Sequence, residues 1–418
     1  MGRDWAVITM LKRVISFHAR GGGLGRSTVS RWARSQLGAT ARRRIPRASA
    51  SQTAGGEGYR GKGPKRLLLV DGNALVYRAY WGYHYLNLSN AEAVRRANAE
   101  GEAEGEEQIV DTSSLFGFLR MLLVLLEIRP LPDYVSIVFD SKEKTFRHEI
   151  YSEYKQNRKP TPEDLKHVVF PQVRGMCRAL NLHTIALPGY EADDVIGSIC
   201  RSALDSKSTA ECTIDLATPD KDFFQLLGPR VRMLRPQKKK DYDSQGPGSG
   251  SGIAYEVYTE RTFREDFTGL SPSTFVDVQA LSGDTADNVP GVRGIGPKTA
   301  VKLLQEFDTL EDVFRNASTI KGKVARAALT TAEGVAMAKL SRRLVELDCT
   351  IPEEVLFRES LESDLVFARP LDQGEEVMAL LNKYDFKTLI PRVQNLWNSL
   401  RDADGNSAQE EDTEAMTL

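Results

Sequence analysis

Short, mostly apolar runs, each followed by an acidic residue, recur along the first half of the chain. Arg66-Leu67-Leu68-Leu69-Val70 ends on Asp71-Gly72-Asn73, and Tyr134-Val135-Ser136-Ile137-Val138-Phe139 ends on Asp140. His183 to Leu187 leads into Gly189-Tyr190-Glu191-Ala192-Asp193-Asp194, and Thr213 to Thr218 into Pro219-Asp220-Lys221-Asp222. Runs this short and this apolar read as parallel strands covered on both faces, and Val231 to Leu234 continues them. Between them the apolar positions take helical spacing, over roughly 111–128, from Pro162 to Leu180 and again after Asp222. The alternation predicts an α/β fold with a mostly parallel sheet flanked by helices. Beyond residue 271 the strand pattern stops, and helices are expected from Thr274 to about residue 395.

In an open sheet of this kind the loops after the strands gather at one edge, where ligands bind. Asp71, Asp140, Glu191, Asp193, Asp194, Asp220 and Asp222 would therefore converge. Gly283-Asp284-Thr285-Ala286-Asp287-Asn288, in the helical part, could bring Asp284 and Asp287 to the same place. Three acids at 191–194 could simply complement a helix dipole. Nine carboxylates in one place repel one another, and that repulsion raises pKa values unless cations intervene. Two magnesium ions would turn the cluster into a site for in-line attack of water on a phosphodiester. Directly after these acids, Gly291-Val292-Arg293-Gly294-Ile295-Gly296-Pro297-Lys298-Thr299-Ala300 reads as a helix–hairpin–helix turn with Pro at the first helical position. Gly291, Arg293, Gly294, Gly296, Lys298 and Thr299 are its candidate DNA-contact residues, since glycines and helix N–H groups meet phosphate without reading sequence.

Charge changes the picture at the chain's start. Residues 1–66 hold 15 Lys/Arg against Asp4 and Glu57, and residues 1–60 also hold six Ser. That composition predicts an organellar transit peptide over 1–60, for chloroplast or mitochondrion, with a disordered basic arm as the competing reading. Gly56 to Lys62 imitates the start of a P-loop, but Gly63 stands where the magnesium-binding Ser/Thr belongs. Polar, Glu-rich residues 87–110 and Gly/Ser-rich residues 238–252 read as insertions, and residues 396–418 as an acidic disordered tail. Catalytic and DNA-holding parts are thus expected over 66–270 and 271–395. Four Cys and five His show neither disulfide nor zinc spacing, so a metal here should be a hard one held by oxygen. No apolar stretch approaches the roughly 20 residues of a membrane span.

Taken together, these motifs resemble the 5′-nuclease domain of bacterial DNA polymerase I, in the flap endonuclease superfamily. The resemblance rests on Asp71-Gly72-Asn73 with Tyr77-Arg78, Phe139-Asp140 through Phe146-Arg147, and Tyr154-Lys155-x-x-Arg158. It extends through Glu191-Ala192-Asp193-Asp194, Asp220-Lys221-Asp222, Asp284-x-x-Asp287-Asn288 and the Gly291 to Ala300 hairpin, in order over roughly residues 66–395. It implies a PIN-like or resolvase-like catalytic fold followed by a helix–hairpin–helix module. It also implies structure-selective 5′-3′ exonuclease and flap endonuclease activity in replication and repair, with Mg2+ or Mn2+ and a monovalent cation at the hairpin. Asp71, Asp140, Glu191, Asp193 and Asp194 would form an inner metal group, with Asp220, Asp222, Asp284 and Asp287 completing a second ion's site. Residues 142–160 would lie near or in a helical arch, where Arg78, Arg147, Lys155 and Arg158 would contact phosphates. The implied substrate is double-stranded DNA with a 5′ flap, nick or 5′ end. RNA–DNA hybrid and an organellar polymerase or ligase are open as further partners. No polymerase domain follows, so a stand-alone nuclease is expected, and Phe224 stands where some members have Tyr. A DNA-binding protein without activity would have no physical reason to keep nine repelling carboxylates, and RNA-cleaving relatives of the fold lack the hairpin.

Overall fold

The computed structural model describes residues 64–82, 112–237 and 253–400. The expected transit segment 1–60, the insertions 87–110 and 238–252 and the tail from residue 401 lie outside the described residues. Strands β1 (Arg66–Asp71), β2 (Tyr134–Val138), β3 (His183–Ile185), β4 (Thr213–Ala217), β5 (Val231–Pro236) and β6 (Tyr255–Tyr258) form one sheet, ordered β3-β2-β1-β4-β5-β6. The first five are parallel, with β1 central between β2 and β4. β6 runs antiparallel to β5 and was not legible as a strand, because its four residues lack a long apolar run. Every residue of β1 and β2 is buried, as strands covered on both faces must be.

Helices fill the connections. They are α1 over residues 72–82, α2 (Ser113–Leu126), α3 (Phe146–Ile150), α4 (Phe170–Ala179), α5 (Ala192–Asp205) and α6 (Glu260–Asp266). A single π turn, Leu165–Val169, opens α4 inside the stretch expected to be one helix. From residue 275 the chain is helical: α7 (Phe275–Ser282), α8 (Pro297–Phe307), α9 (Leu310–Arg315), α10 (Lys323–Leu329) and α11 (Ala332–Val345). Short α12 (Glu353–Leu356) and α13 (Leu361–Leu365) follow, then α14 (Glu375–Lys383) and a last helix, α15, over 390–400.

Two sequence expectations change here. The last helix continues through residue 400, so residues 396–400 are not tail: Leu396, Trp397 and Leu400 are buried. The final helices also leave the helical part. Phe367, Val377, Leu381, Phe386, Leu389 and Val393 join the same core as α2, α4, β1 and β2. Arg392 fixes this return with two hydrogen bonds to Glu127, and Phe367 N–H donates to Asp133 O at 2.8 Å. Helical periodicity announces an apolar face but not the surface that covers it.

Candidate active site

The carboxyl ends of β1, β2 and β4 and the start of α5 meet at one edge of the sheet. Asp71, the last residue of β1, is buried, and its two oxygens accept from Ala74 N at 2.8 Å and Thr218 Oγ1 at 2.9 Å. Burial, with Asp140 and Asp220 nearby, pushes its carboxyl up to about 7. Asp140 keeps an exposed side chain at the mouth of this edge, yet accepts from Asn73 Nδ2 at 2.5 Å and Ala192 N at 2.9 Å. Desolvation against its neighbours raises it as well. Asp193 carries the least balanced charge. No hydrogen-bond donor among the described residues reaches it, and burial with Asp220, Asp71 and Asp140 lifts it well above the ordinary carboxyl range.

Asp220 caps a 3-10 turn, Lys221–Leu226, that contains Asp222, and Asp220 Oδ1 accepts from Asp222 N. Asp220 is raised by burial, and Asp222 is pushed to about 7 by burial and by Asp220. Gln279 of α7 donates to Asp222 Oδ1 at 2.7 Å, tying the helical part to the sheet edge. The loop after α7 adds Asp284 and Asp287, both buried. Gly283 (φ +70°) and Gly291 (φ +64°) pack back to back at its base, where a Cβ on Gly291 would stand 2.3 Å from Gly283 N. No side chain fits that contact, so the acid-bearing loop has one closure.

Cations interleave with these acids. Lys155 Nζ lies 3.0 Å from Glu191 Oε2 and 3.9 Å from Asp287 Oδ2. Arg158 bonds Asp287 through Nε and a terminal nitrogen, and Lys221 reaches Asp284 at 2.7 Å. Burial opposes ionisation of Glu191, but Lys155 and Arg147 outweigh it and hold its pKa below the usual value. The segment that supplies Lys155 and Arg158 is itself clamped to the acid-bearing loop. Lys155 N–H donates to Asp287 O at 3.0 Å, and Asn157 and Asn288 make reciprocal side-chain bonds at 2.7 Å to Thr285 O and Glu153 O. Tyr154, buried against Val276, Val289, Leu344 and Val345, donates to Glu191 at 3.2 Å.

Arg147 and Asp194 do not stand where the resemblance implies. The Arg147 guanidinium is 1 % exposed and forks onto both oxygens of Asp194 at 2.7 and 2.8 Å. It also donates to Leu344 O and Glu346 O, while Asp348 N–H donates to Asp194 Oδ1 at 2.9 Å. Four of the five Arg147 N–H donors are taken in this way, its Nη1 lies 3.5 Å from Glu191 Oε2, and both oxygens of Asp194 accept. The pair instead joins the 142–160 segment, α5 and the chain after α11. Glu191 is the extended N-cap of α5 (φ −81°, ψ 154°), one residue outside the helix. Residues 142–160 form one short helix and a run of turns among the described residues. Arg78 is exposed on α1 and donates to Gln237 O at 3.4 Å.

In the hairpin, Arg293, Gly294, Gly296 and Lys298 are exposed, Thr299 is half-buried, and Gly291 is buried by its contact with Gly283. Pro297 opens α8 after Gly296 as N-cap. Phe224 lies in an aromatic cluster with Tyr258, Phe263, Phe267 and Phe275, so a hydroxyl there would meet rings. Lys221, Gln279 and Thr218 were missed as site residues. Lys221, between two aspartates, carried a signal; Gln279 and Thr218 carried none.

The donor set is all carboxylate, which suits a hard divalent cation. Unpartnered Asp193 and the raised pKa values mark negative charge that the lysines and arginines do not balance. By donor chemistry and charge the residues fit such an ion. As they stand, no three His, Cys, Asp or Glu side chains among the described residues are gathered closely enough to hold one. Binding therefore requires side chains to rearrange, Lys155 first, because its ammonium already occupies the space between Glu191 and Asp287.

Comparison with known proteins gives two family matches in chain order: the 5′-3′ exonuclease N-terminal resolvase-like domain over residues 66–262, and the 5′-3′ exonuclease C-terminal SAM fold over 270–364. A 5′-3′ exonuclease of Bacillus subtilis is 33% identical over 332 residues, covering 79% of this chain and 97% of that protein. DNA polymerase I of Caldicellulosiruptor bescii is 33% identical over 328 residues, covering 78% of this chain; the chain spans about a third (33%) of that relative. Among solved structures, a bacteriophage T5 flap endonuclease in a pseudo-enzyme-product complex with DNA and metal ions aligns at TM-score 0.48 and 19% identity, over 76% of this chain and 100% of that one.

Proposed function

Because the chain belongs to the 5′-3′ exonuclease family, we propose that it hydrolyses DNA phosphodiester bonds at 5′ flaps, nicks and 5′ ends, as a structure-selective exonuclease and flap endonuclease in replication and repair. The observation that carries this reading is the meeting of Asp71, Asp140, Asp193, Asp220 and Asp222 at the carboxyl edge of the sheet, closed over by Asp284 and Asp287 from the helical part. Asp71, Asp140, Glu191 and Asp193 would hold one Mg2+ or Mn2+, and Asp220, Asp222, Asp284 and Asp287 would support a second. When bound, such a pair supplies Lewis acidity on both sides of an in-line displacement and favours a water nucleophile at neutral pH.

The chain's own residues do the rest. Lys155 and Arg158 now neutralise Glu191 and Asp287; once that negative charge is met otherwise, both are released toward a phosphate. Arg78, exposed on α1, offers a further cation at the same edge. Asp194 and Arg147 orient the first turn of α5 rather than touching substrate. The hairpin from Gly291 to Thr299 grips the duplex, with a monovalent cation as a candidate ligand there.

The test is cleavage of a 5′-labelled flap duplex by residues 61–418, with DNA and RNA 5′ strands side by side. Cleavage in Mg2+ and none in EDTA is expected, and Asp193→Asn should remove turnover while duplex binding persists. Full activity in chelator would sink the metal-assisted reading. The Arg-rich, acid-poor composition of residues 1–60 further supports delivery to a chloroplast or mitochondrion, beside an organellar polymerase or ligase. Those residues fused to a fluorescent protein should reach an organelle; a diffuse signal throughout the cell contradicts the assignment.

A further inference from the structure

Surface charges in folded proteins are ordinarily interspersed in sign. Two stretches of this chain break that pattern. Residues 288–305 and 316–332 contain no Asp or Glu, yet hold Arg293, Lys298, Lys302, Lys321, Lys323 and Arg326. All but Arg326 are exposed, and none of those five forms an ion pair among the described residues. The first stretch contains the hairpin. The second holds a Gly-centred turn, Ile320-Lys321-Gly322, that leads into the first residues of α10, Lys323 and Val324.

The structure sets these two turns against each other. Gly294, at φ +84°, has no side chain, and a Cβ there would come within 2.4 Å of Val324 Cγ1. Val324 is nonetheless 62 % exposed, so the contact lies at the surface and not in a core. Lys323 adjoins Val324 and Arg293 adjoins Gly294, which brings unpaired cations from both turns to one seam. Exposed lysines standing alone have little meaning. Cations without an ion pair among the described residues, on both sides of one glycine-lined contact and with no carboxylate in either stretch, form a positive surface complementary to a polyanion.

We propose that the Gly322 turn and the start of α10, residues 320–324, form a second phosphate-contact element, so that Lys321 and Lys323 continue the hairpin's grip along the backbone of duplex DNA. The inference rests on the DNA-cleaving reading above and adds a surface to it. Flexible ammonium groups beside an apolar Val324 hold phosphates without reading bases, so the contact adds affinity and salt dependence, not sequence preference.

The experiment is fluorescence anisotropy of a labelled blunt duplex with the full chain in EDTA, repeated over a range of salt concentrations. Lys321→Ala with Lys323→Ala should reduce the slope of log affinity against log salt by about two, close to one for each phosphate that is no longer neutralised. A matched pair in the C-terminal helices, Lys383→Ala with Lys387→Ala, removes the same charge and should leave the slope as in the unaltered chain. Val324→Glu, which sets a negative charge into the seam, should weaken binding as well. An unchanged slope for the Lys321 and Lys323 pair, or an equal fall for the control pair, overturns this inference while leaving the nuclease reading intact. Failure of the unaltered chain to bind duplex overturns both.

Discussion

Asp193 and Asp194 are consecutive residues of one type with opposite environments. Asp193 looks into the acidic edge with no donor upon it among the described residues, while Asp194 is 0 % exposed and saturated by Arg147 and the Asp348 amide. Helix geometry turns each residue about 100° from the last, so the two side chains point in different directions, and here one of them is turned from the sheet edge. Which one does so depends on Arg147, some 47 residues earlier, and on the strap at residues 344–348. Removing one partner of a buried pair leaves the other charge uncompensated, at a cost of about 3–5 kcal/mol. Arg147→Ala should therefore lower unfolding free energy by roughly that amount in urea titration. A phosphate-contacting arginine would instead lose turnover at unchanged stability, and that result would restore the role the resemblance implies.

At the scale of elements, the strand ends were the legible part of the site. Buried parallel strands need apolar residues along their length, so polar residues mark where each one stops, and parallel topology sends all those stops to one edge. The cations were less legible, because a lysine in a sequence does not declare its partner. The acidic edge has a measurable consequence. Asp71 and Asp222, at about 7 when folded against an ordinary value near 4, bind protons more readily in the folded chain. Their contribution to stability is full below the unfolded value and lost as pH rises through about 7. Thermal unfolding in EDTA should therefore occur at higher temperature at pH 5 than at pH 8. His183, lowered by burial, works the other way over part of this range, but it begins β3, at the end away from the carboxyl edge. Millimolar Mg2+ should raise Tm at pH 8 more than at pH 5, since it replaces protons that are already absent there. Equal gains at both pH values would remove the carboxyl edge as the metal-binding locus.

Across the whole molecule, the chain returns to its starting point. After the helical part, α14 and α15 close the core that α2, α4, β1 and β2 begin, with Trp397 stacked beneath Arg369. A chain ended at residue 364 would expose the faces that Phe367, Val377, Leu381, Phe386 and Leu389 cover, and each of those side chains is worth about 1.5–3 kcal/mol when buried. Such a chain should lose its cooperative thermal transition or melt far lower; an unchanged Tm would make the last helices independent of the core. The amino-acid sequence by itself determined the class of the fold, the sheet edge where chemistry belongs and the acids that gather there. Apolar runs, their acidic ends and the hairpin glycines are local features, dictated within a few residues of chain. Tertiary structure alone decided which acid faces the site, which cations neutralise it, and that Arg147 is a buried tie. Those outcomes come from contacts between residues far apart in the chain, such as Arg147 with Asp194 and Leu344. Only the packing of α5, the 142–160 segment and the strap after α11 brings such residues within hydrogen-bond reach.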